Sequence, residues 1–184
     1  IIAPESMFCN PSHRYIAQHI RSVARIRAVV SLPEELFQPY THAKTCAVVI
    51  EKKKTNYDEG HEIFMGVAKW CGHDSRGLPI PHDDLPNILE KFMEYQNNGS
   101  LQYDHLGFVI NEKDIIDNVY LPKYYNPEIS QQLEALKPTH DLLVLGDLIK
   151  KKVLNISTGH EVGKLAYGTG HIPFIRTSEI ANWE

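Results

Sequence analysis

The sequence predicts an α/β fold in which an antiparallel pair of strands lies at the margin of a sheet covered by helices. Two runs of β-branched and other apolar residues, 28–30 and 47–50, predict these strands. The segment between them is short and is interrupted by Pro33 and Pro39, so it has no room for the helix of a parallel crossover. The strands are therefore antiparallel, and their almost wholly apolar composition predicts that both faces are covered.

One α/β unit precedes this pair. Residues 1–4 have the apolar character of the end of a strand. Ser12 is a favourable helix cap, and helical periodicity continues over residues 13–25. Three apolar side chains share one face of this helix and are predicted to pack on the sheet: Ile16, Ile20 and Val23.

Further elements alternate with turns up to a boundary near residue 100. Residues 63–68 predict another strand, and the glycines and prolines after it predict a turn-rich loop. The next helix covers about residues 85–96, takes its cap from Asp83 or Asp84, and ends at an Asn-Asn-Gly stop. Composition and periodicity both change over residues 99–103, which we take as the boundary between two halves.

The second half is predicted to contain a strand over residues 106–111, a proline-punctuated linker over 121–127, and helices over 127–136 and 145–151. Residues 155–171 are polar and rich in glycine. The sequence shows no internal repeat and no low-complexity tract.

The composition is typical of a soluble globular protein. The chain is 42% hydrophobic and 23% charged, and no run of apolar residues is long enough to span a bilayer. Its net charge of −4 is uneven, because residues 1–60 sum to +2, residues 61–147 to −8 and residues 148–184 to +2. This distribution excludes a protein whose whole surface binds nucleic acid, which would carry a dense basic face.

The three cysteines are an odd number and widely spaced, which favours a reduced, cytoplasmic setting. They are Cys9, Cys46 and Cys71. Because the chain begins without methionine and on a strand-like pair of residues, we expect it to be a piece of a longer protein.

No glycine-rich phosphate or cofactor turn follows a strand, in either of its two common forms. The Gly-Thr-Gly-His run at 168–171 lies in a polar loop, and the Cys-Gly-His at 71–73 matches no common zinc spacing. The paired Asp83 and Asp84 have the residue types of an acid–base pair, but their place directly before a helix favours capping. We therefore predict no metal site and no cofactor site.

Two lysine runs, 52–54 and 150–152, lie where strands and helices end, so solvated chain ends explain them as well as phosphate contacts do. The second run leads into a segment whose side chains are of the types that bind phosphates and base edges. The predicted DNA-binding residues are Lys164, Arg176, Thr177 and Ser178.

At this point a family resemblance can be stated. The run IIAPESMF, a helix, and then RAVVSLPEELFQPYTHAKTCAVVIEKK resemble the C-terminal third of the catalytic domain of bacterial adenine-N6 DNA methyltransferases, the modification subunits of type I restriction systems and their relatives. The matching motif positions are Pro4-Glu5, residues 29–33, Phe37, residues 39–41 and Lys44-Thr45. The segment IFMGVAKWCGHDSRGLPIPHDDLPNILEKF is similar to the family's next motif, so the resemblance covers about residues 1–96.

From about residue 118 the chain is similar to the opening of a target-recognition domain of a type I specificity subunit. The two resemblances imply the C-terminal part of a methyltransferase domain over 1–99, a linker with a helix over 100–139, and the start of a recognition domain over 140–184. The fold they imply is the far edge of a doubly wound methyltransferase sheet with an antiparallel final strand pair, followed by a partial α+β domain.

The resemblance implies a parent protein that methylates adenine with S-adenosylmethionine and acts on double-stranded DNA, with specificity or nuclease subunits as further partners and no membrane. The family's glycine-rich cofactor loop and Asn-Pro-Pro-aromatic tetrad are absent, because the Asn-Pro pairs at 10–11 and 126–127 lack the second proline and the aromatic residue. We therefore carry over no catalytic or cofactor-binding residue and expect this chain alone to be inactive. Two alternatives remain: a non-catalytic DNA-binding specificity or subunit-coupling module, and an unrelated α/β enzyme or interaction domain.

Overall fold

The computed structural model describes residues 1–53, 60–157 and 169–171. The chain divides into two units, Ile1–His140 and Asp141–Glu184. The first contains a mixed five-stranded sheet with helices on both faces. The described part of the second contains one short helix, α5 (Leu145–Lys150). No helix in the described ranges combines the length and apolar character needed to span a membrane.

The sheet has the strand order β1-β3-β2-β4-β7. Its strands are β1 (Ile2–Pro4), β2 (Ala24–Ser31), β3 (Thr45–Lys52), β4 (Glu62–Val67) and β7 (Phe108–Asn111). Strand β3 is antiparallel to both of its neighbours, β1 and β2, so those two strands run in the same direction. Strand β4 is parallel to β2, and β7 is antiparallel to β4. Strands β1, β2 and β4 therefore end at one side of the sheet, which we call the carboxyl edge.

The predicted antiparallel pair is present as β2 and β3, with Val29 opposite Val48. As expected, the connection holds only a 3₁₀ turn, Glu34–Phe37. The prediction that both strands are covered on both faces is wrong for β3, since Val49 is 46% exposed. Strand β3 also has β1 as an outer neighbour, so within this chain it is not the marginal strand.

Two helical layers cover the sheet because side chains of a strand alternate between its faces. On one face, α1 (Ser6–Cys9) and α2 (Arg14–Val23) pack with Tyr120 against Ile63 and Met65. On the other face, α3 (Leu85–Asn98) packs against Phe64, whose ring meets that of Phe92 edge to face at 5.2 Å. Residues 63, 64 and 65 of β4 thus belong to the core on alternate sides.

Helix α2 is present where it was predicted, but its buried face differs. Ala17 is buried and Ile20 is partly buried, whereas Val23 is 52% exposed. At about 100° per residue, Val23 lies roughly a quarter turn from the centre of the face that Ala17 and Ile20 define. The predicted inward position of Val23 is therefore wrong, because the chain enters β2 at Ala24 instead of completing another turn.

Helix α3 ends as predicted, at Gly99 with a φ of 70°. The preceding loop is more regular than expected. It contains a hairpin of two short strands, β5 (Cys71–His73) and β6 (Pro79–Asp83), which turns at Gly77 with a φ of 78°. Prolines at the first and third positions of β6, Pro79 and Pro81, concealed the strand, because proline inside a run argues against regular pairing.

Residues 100–140 belong to the first unit and pack with the elements before residue 99. Strand β7 pairs with β4, and Tyr120 and Pro122 are buried. Helix α4 (Pro127–Leu136) and α5 confirm the two helices predicted after residue 126. The proposed domain boundaries at 99 and 139 stay predictions, and residues 172–180 lie outside the described ranges.

The Tyr120 ring is fully buried, and its hydroxyl has no hydrogen-bond partner. Burial also raises the pKa of this hydroxyl. We expect Tyr120→Phe to leave the free energy of unfolding unchanged or to raise it by up to about 1 kcal/mol, because no hydrogen bond is lost. Tyr120→Ala should lower it by about 3–5 kcal/mol through the cavity it creates. Urea denaturation measures both, and a clear loss in Tyr120→Phe would contradict the absence of a partner.

Candidate functional site

The carboxyl edge is where the fold predicts a site, because ligands of open α/β sheets bind beyond the carboxyl ends of parallel strands. A cleft of about 460 Å³ opens there, which we call the edge cleft. Its floor is apolar and consists of the buried residues Leu32, Pro33, Val67 and Ala68, and the half-exposed Ile129 adds apolar surface at one side. Its polar lining consists of Glu34, Glu35, Lys44, Lys69, Lys123 and Asn126. The cleft has the size of a small-molecule or single-nucleotide site.

Backbone hydrogen bonds join the strand ends beside the edge cleft. The amide of Leu32 donates to the carbonyl of Thr45 at 2.9 Å, and the amide of Ala68 donates to the carbonyl of Ser31 at 2.9 Å. The side chain of Ser31 is fully buried, and its Oγ has no hydrogen-bond partner. Because a buried unpartnered hydroxyl costs about 1–3 kcal/mol, Ser31 is a destabilising polar group at the end of β2.

Glu5 follows β1 at the same edge and is only 7% exposed. Its amide donates to the carbonyl of Lys44 at 2.9 Å, and its Oε1 lies 3.5 Å from Lys123 Nζ. The carboxylate of Glu5 thereby neutralises Lys123. Lys44 and Lys69 are exposed and form no ion pair within the described ranges, so they are the two unneutralised cations of the edge cleft.

Asp84 holds the chain as it leaves β4. Its Oδ2 accepts hydrogen bonds from the amides of Lys69 at 2.7 Å and Trp70 at 3.1 Å. The neighbouring Asp83 accepts from the amide of Leu85 at 3.0 Å, at the start of α3. Asp84, one of the two predicted caps, is the N-cap residue of α3, but its side chain forms no capping hydrogen bond and instead fixes the position of Lys69 in the edge cleft. The side chain of Asp83, one residue earlier, accepts from the first amide of the helix.

Helix α4 forms one wall of the edge cleft and is attached through Glu128. Glu128 Oε1 accepts from the amide of His105 at 3.2 Å and lies 2.9 Å from His105 Nδ1. The carbonyl of His105 in turn accepts from the amide of Val67 at 2.7 Å. The hydrogen bonds from His105 lower the pKa of Glu128.

The four predicted DNA-binding residues lie outside the described ranges and stay predictions. Cys71 Sγ and His73 Nε2 lie 3.8 Å apart, but the described residues contain no cluster of three side chains able to hold a metal ion. Of the second lysine run, Lys150 Nζ lies 3.5 Å from Asp147 on the same helix.

The sequence reasoning missed the edge cleft itself. Its signal was present, since Lys69 follows β4 by two residues and Lys44 directly precedes β3. Because β3 is antiparallel, its start lies at the edge where β2 and β4 end. Recognising the two lysines as neighbours required the strand order.

The depressed pKa of Glu128 predicts a pH-dependent attachment of α4. The stabilisation is complete above the ordinary glutamate value of about 4.5 and is lost as the pH falls through the lower value of the folded state. Glu128→Gln keeps an acceptor oxygen but removes the charge that titrates. When the pH is lowered from about 5 to about 3, the midpoint of thermal unfolding should therefore fall less in this variant than in the wild type, by a few degrees. Glu134→Gln, at an exposed position of the same helix, is the control and should retain the wild-type pH dependence. Equal slopes for all three proteins would contradict the role of Glu128.

Three comparisons with known proteins bear on the family. The family model described as N-6 DNA Methylase matches residues 1–134. A chain from a solved structure described as "Structural basis underlying complex assembly and conformational transition of the type I R-M system" is 15% identical, with a TM-score of 0.49. That alignment covers 83% of this chain and 34% of the solved chain, so this chain spans about a third of its length. No curated protein matches the sequence. Because the family model matches 134 of the 184 residues, the chain belongs to the N-6 DNA methylase family.

Proposed function

We propose that this chain is the distal part of a site-specific adenine-N6 DNA methyltransferase of a restriction-modification system. The observation that carries the proposal is the carboxyl edge, where β1, β2 and β4 end together beside the edge cleft. Leu32 and Pro33, which belong to the segment that carries the family resemblance, line that cleft. The edge therefore lies within the residues that the family model matches.

In this proposal the edge cleft borders the nucleotide that the enzyme takes out of the duplex. A methyltransferase cannot reach the exocyclic amine of a stacked adenine, so it extrudes the nucleotide and holds it in a pocket. Lys44 and Lys69 are placed to neutralise the phosphates on either side of that nucleotide. The apolar floor at Leu32, Pro33 and Ala68 supports the sugar and base.

S-adenosylmethionine supplies the methyl group in this family, but the residues of the edge cleft do not suit that cofactor. Its sulfonium is positively charged, but the lining does not favour a cation, because Lys44 and Lys69 balance the carboxylates of Glu34 and Glu35 and Lys123 is paired with Glu5. No glycine-rich turn after a strand is present in the sequence to let the backbone approach the cofactor. We therefore place the cofactor-binding and catalytic groups on a part of the enzyme that precedes β1, and we expect this chain alone to be catalytically inactive.

The second unit is proposed to begin the target-recognition domain of the same enzyme. Lys164, Arg176, Thr177 and Ser178 are its proposed DNA contacts, because guanidinium, ammonium and hydroxyl groups bind phosphates and base edges. The proposed partners are duplex DNA and the specificity or nuclease subunits of a restriction-modification complex. Such an enzyme works in the cytoplasm, where its DNA substrate lies.

The test of the proposed function starts from the coding sequence upstream of Ile1. We expect an in-frame glycine-rich loop and an Asn-Pro-Pro-aromatic tetrad there. The polypeptide extended to include both should transfer radiolabelled methyl groups to N6 of adenine in duplex DNA. Absence of both motifs would refute the methyltransferase assignment. DNA binding by the extended polypeptide without methyl transfer would favour the alternative of a non-catalytic specificity or coupling module.

The two unneutralised lysines of the edge cleft give a second prediction. We expect the double variant Lys44→Gln, Lys69→Gln to bind duplex DNA roughly tenfold more weakly, about 0.7 kcal/mol for each cation. The slope of log affinity against log salt should fall in magnitude by about two. Fluorescence anisotropy with a labelled duplex measures both quantities.

Lys113→Gln is the matched control, because Lys113 is exposed and follows β7 at the opposite edge of the sheet. Its affinity should stay close to that of the wild type. If one Lys113 substitution weakened binding as much as the double variant, only overall charge would matter and the edge cleft would have no specific role.

A further inference from the structure

The β5–β6 hairpin projects from the carboxyl edge next to the edge cleft. Strand β5 follows Lys69 and contacts the 3₁₀ turn Glu34–Phe37 of the cleft. The base of the hairpin is fixed by the hydrogen bonds of Asp84 to Lys69 and Trp70, and the amide of Asp84 donates to the carbonyl of Trp70 at 3.1 Å. These hydrogen bonds attach the base of the hairpin to the chain beside the proposed nucleotide site.

The tip of the hairpin is organised around Asp74. Its Oδ1 accepts from the amides of Arg76 at 2.8 Å and Leu78 at 2.9 Å. Its backbone forms two more hydrogen bonds: its amide donates to the carbonyl of Leu78, and its carbonyl accepts from the amide of Gly77. The amides of Leu78 and Arg76 lower the pKa of the Asp74 carboxyl. Four hydrogen bonds therefore fix the shape of a turn whose residues 75–78 are all exposed.

The side chains at this ordered tip face solvent. Leu78 is 59% exposed, and the guanidinium of exposed Arg76 forms no hydrogen bond or ion pair with any described residue. Nearer the base, the rings of Trp70 and His82 lie 5.7 Å apart, and Trp70 is 49% exposed. An ordered, exposed turn that carries an apolar side chain and an unpaired cation is typical of a binding element.

The charged side chains of the hairpin differ in whether they are bonded to the chain. The carboxylates of Asp74, Asp83 and Asp84 all accept hydrogen bonds from backbone amides, so each is engaged with the chain. The side chains of Arg76 and Lys69 form no ion pair with a described residue. The carboxylates keep their charge, so residues 69–84 sum to −1, from two cations and three carboxylates. What the hairpin offers an anionic partner with flat apolar edges is two local cations, Arg76 and Lys69, together with the exposed side chain of Leu78.

We propose that the tip of the β5–β6 hairpin enters the major groove of duplex DNA beside the nucleotide at the edge cleft. Arg76 contacts a phosphate or a base edge, and Leu78 lies against the bases. A two-stranded ribbon fits the width of the major groove, whereas a broader element would not. This inference rests on the proposed function, because the partner is the same duplex.

Photo-crosslinking tests the position of the tip. The 184-residue chain carrying Leu78→p-benzoylphenylalanine is irradiated with a mixed-sequence duplex of about 30 base pairs at about 50 mM salt. We expect adducts with the DNA. The matched control is Val23→p-benzoylphenylalanine, since Val23 is 52% exposed and directly precedes β2, at the edge of the sheet opposite the carboxyl edge. Adducts of the Leu78 probe with protein alone would overturn the proposal in favour of a protein partner.

Two substitutions test the chemistry of the tip. Arg76→Gln should weaken duplex binding about fivefold and reduce the slope of log affinity against log salt by about one, whereas Lys113→Gln should leave both near the wild-type values. Asp74→Ala removes a negative charge, so tighter binding would show that charge alone governs affinity and would overturn the proposal. We expect weaker binding, because the ordered turn is lost, and Asp74→Asn, which keeps the acceptor oxygen, should restore it.

The failure of this proposal is distinguishable from failure of the proposed function. If the chain binds duplex in a salt-dependent way but Arg76→Gln equals Lys113→Gln, the hairpin proposal fails and the function stands. If the chain binds no duplex at about 50 mM salt, the hairpin proposal fails, whereas the proposed function is decided separately by methyl transfer with the extended polypeptide. Unchanged far-ultraviolet circular dichroism of the tip variants shows that any loss of binding is local.

Discussion

The pairing of β3 between β1 and β2 is the constraint on which the rest of the first unit depends. Because β3 runs antiparallel to both neighbours, β1 and β2 must point the same way, and β4 then follows β2. Three strand ends and the start of β3 consequently meet at one edge. Residues that are far apart in sequence, such as Glu5, Lys44 and Lys69, become neighbours through this strand order alone.

Backbone groups, more than side chains, define the geometry of that edge. Carbonyls of Ser31, Lys44, Thr45 and His105 each accept an amide from another segment, so the edge is held by bonds that most substitutions leave intact. Side chains then add the chemistry: Glu5 neutralises one lysine, and Asp84 positions another. The walls of the cleft are therefore fixed by backbone hydrogen bonds, while its lysine side chains are exposed.

Local sequence patterns predicted most helices and strands of the fold. They did not predict how side chains and strand ends are placed relative to one another. The apolar runs of β2 and β3 and the Gly99 stop are written in consecutive residues, so the antiparallel pair and the end of α3 were predictable. The outward position of Val23 depends on where the chain leaves α2, and the edge cleft depends on strand order. Neither is encoded in neighbouring residues, while Lys164 and Arg176 to Ser178 stay predictions because they lie outside the described ranges.

The turn at the tip of the hairpin has an evolutionary consequence. Its shape is set by the carboxylate of Asp74 and by the positive φ of Gly77, and neither depends on the identity of residues 75, 76 and 78. Substitutions at those three positions are therefore nearly neutral for folding, since none of them lies in the core. A lineage can diversify what this protein touches while its scaffold remains under unchanged selection.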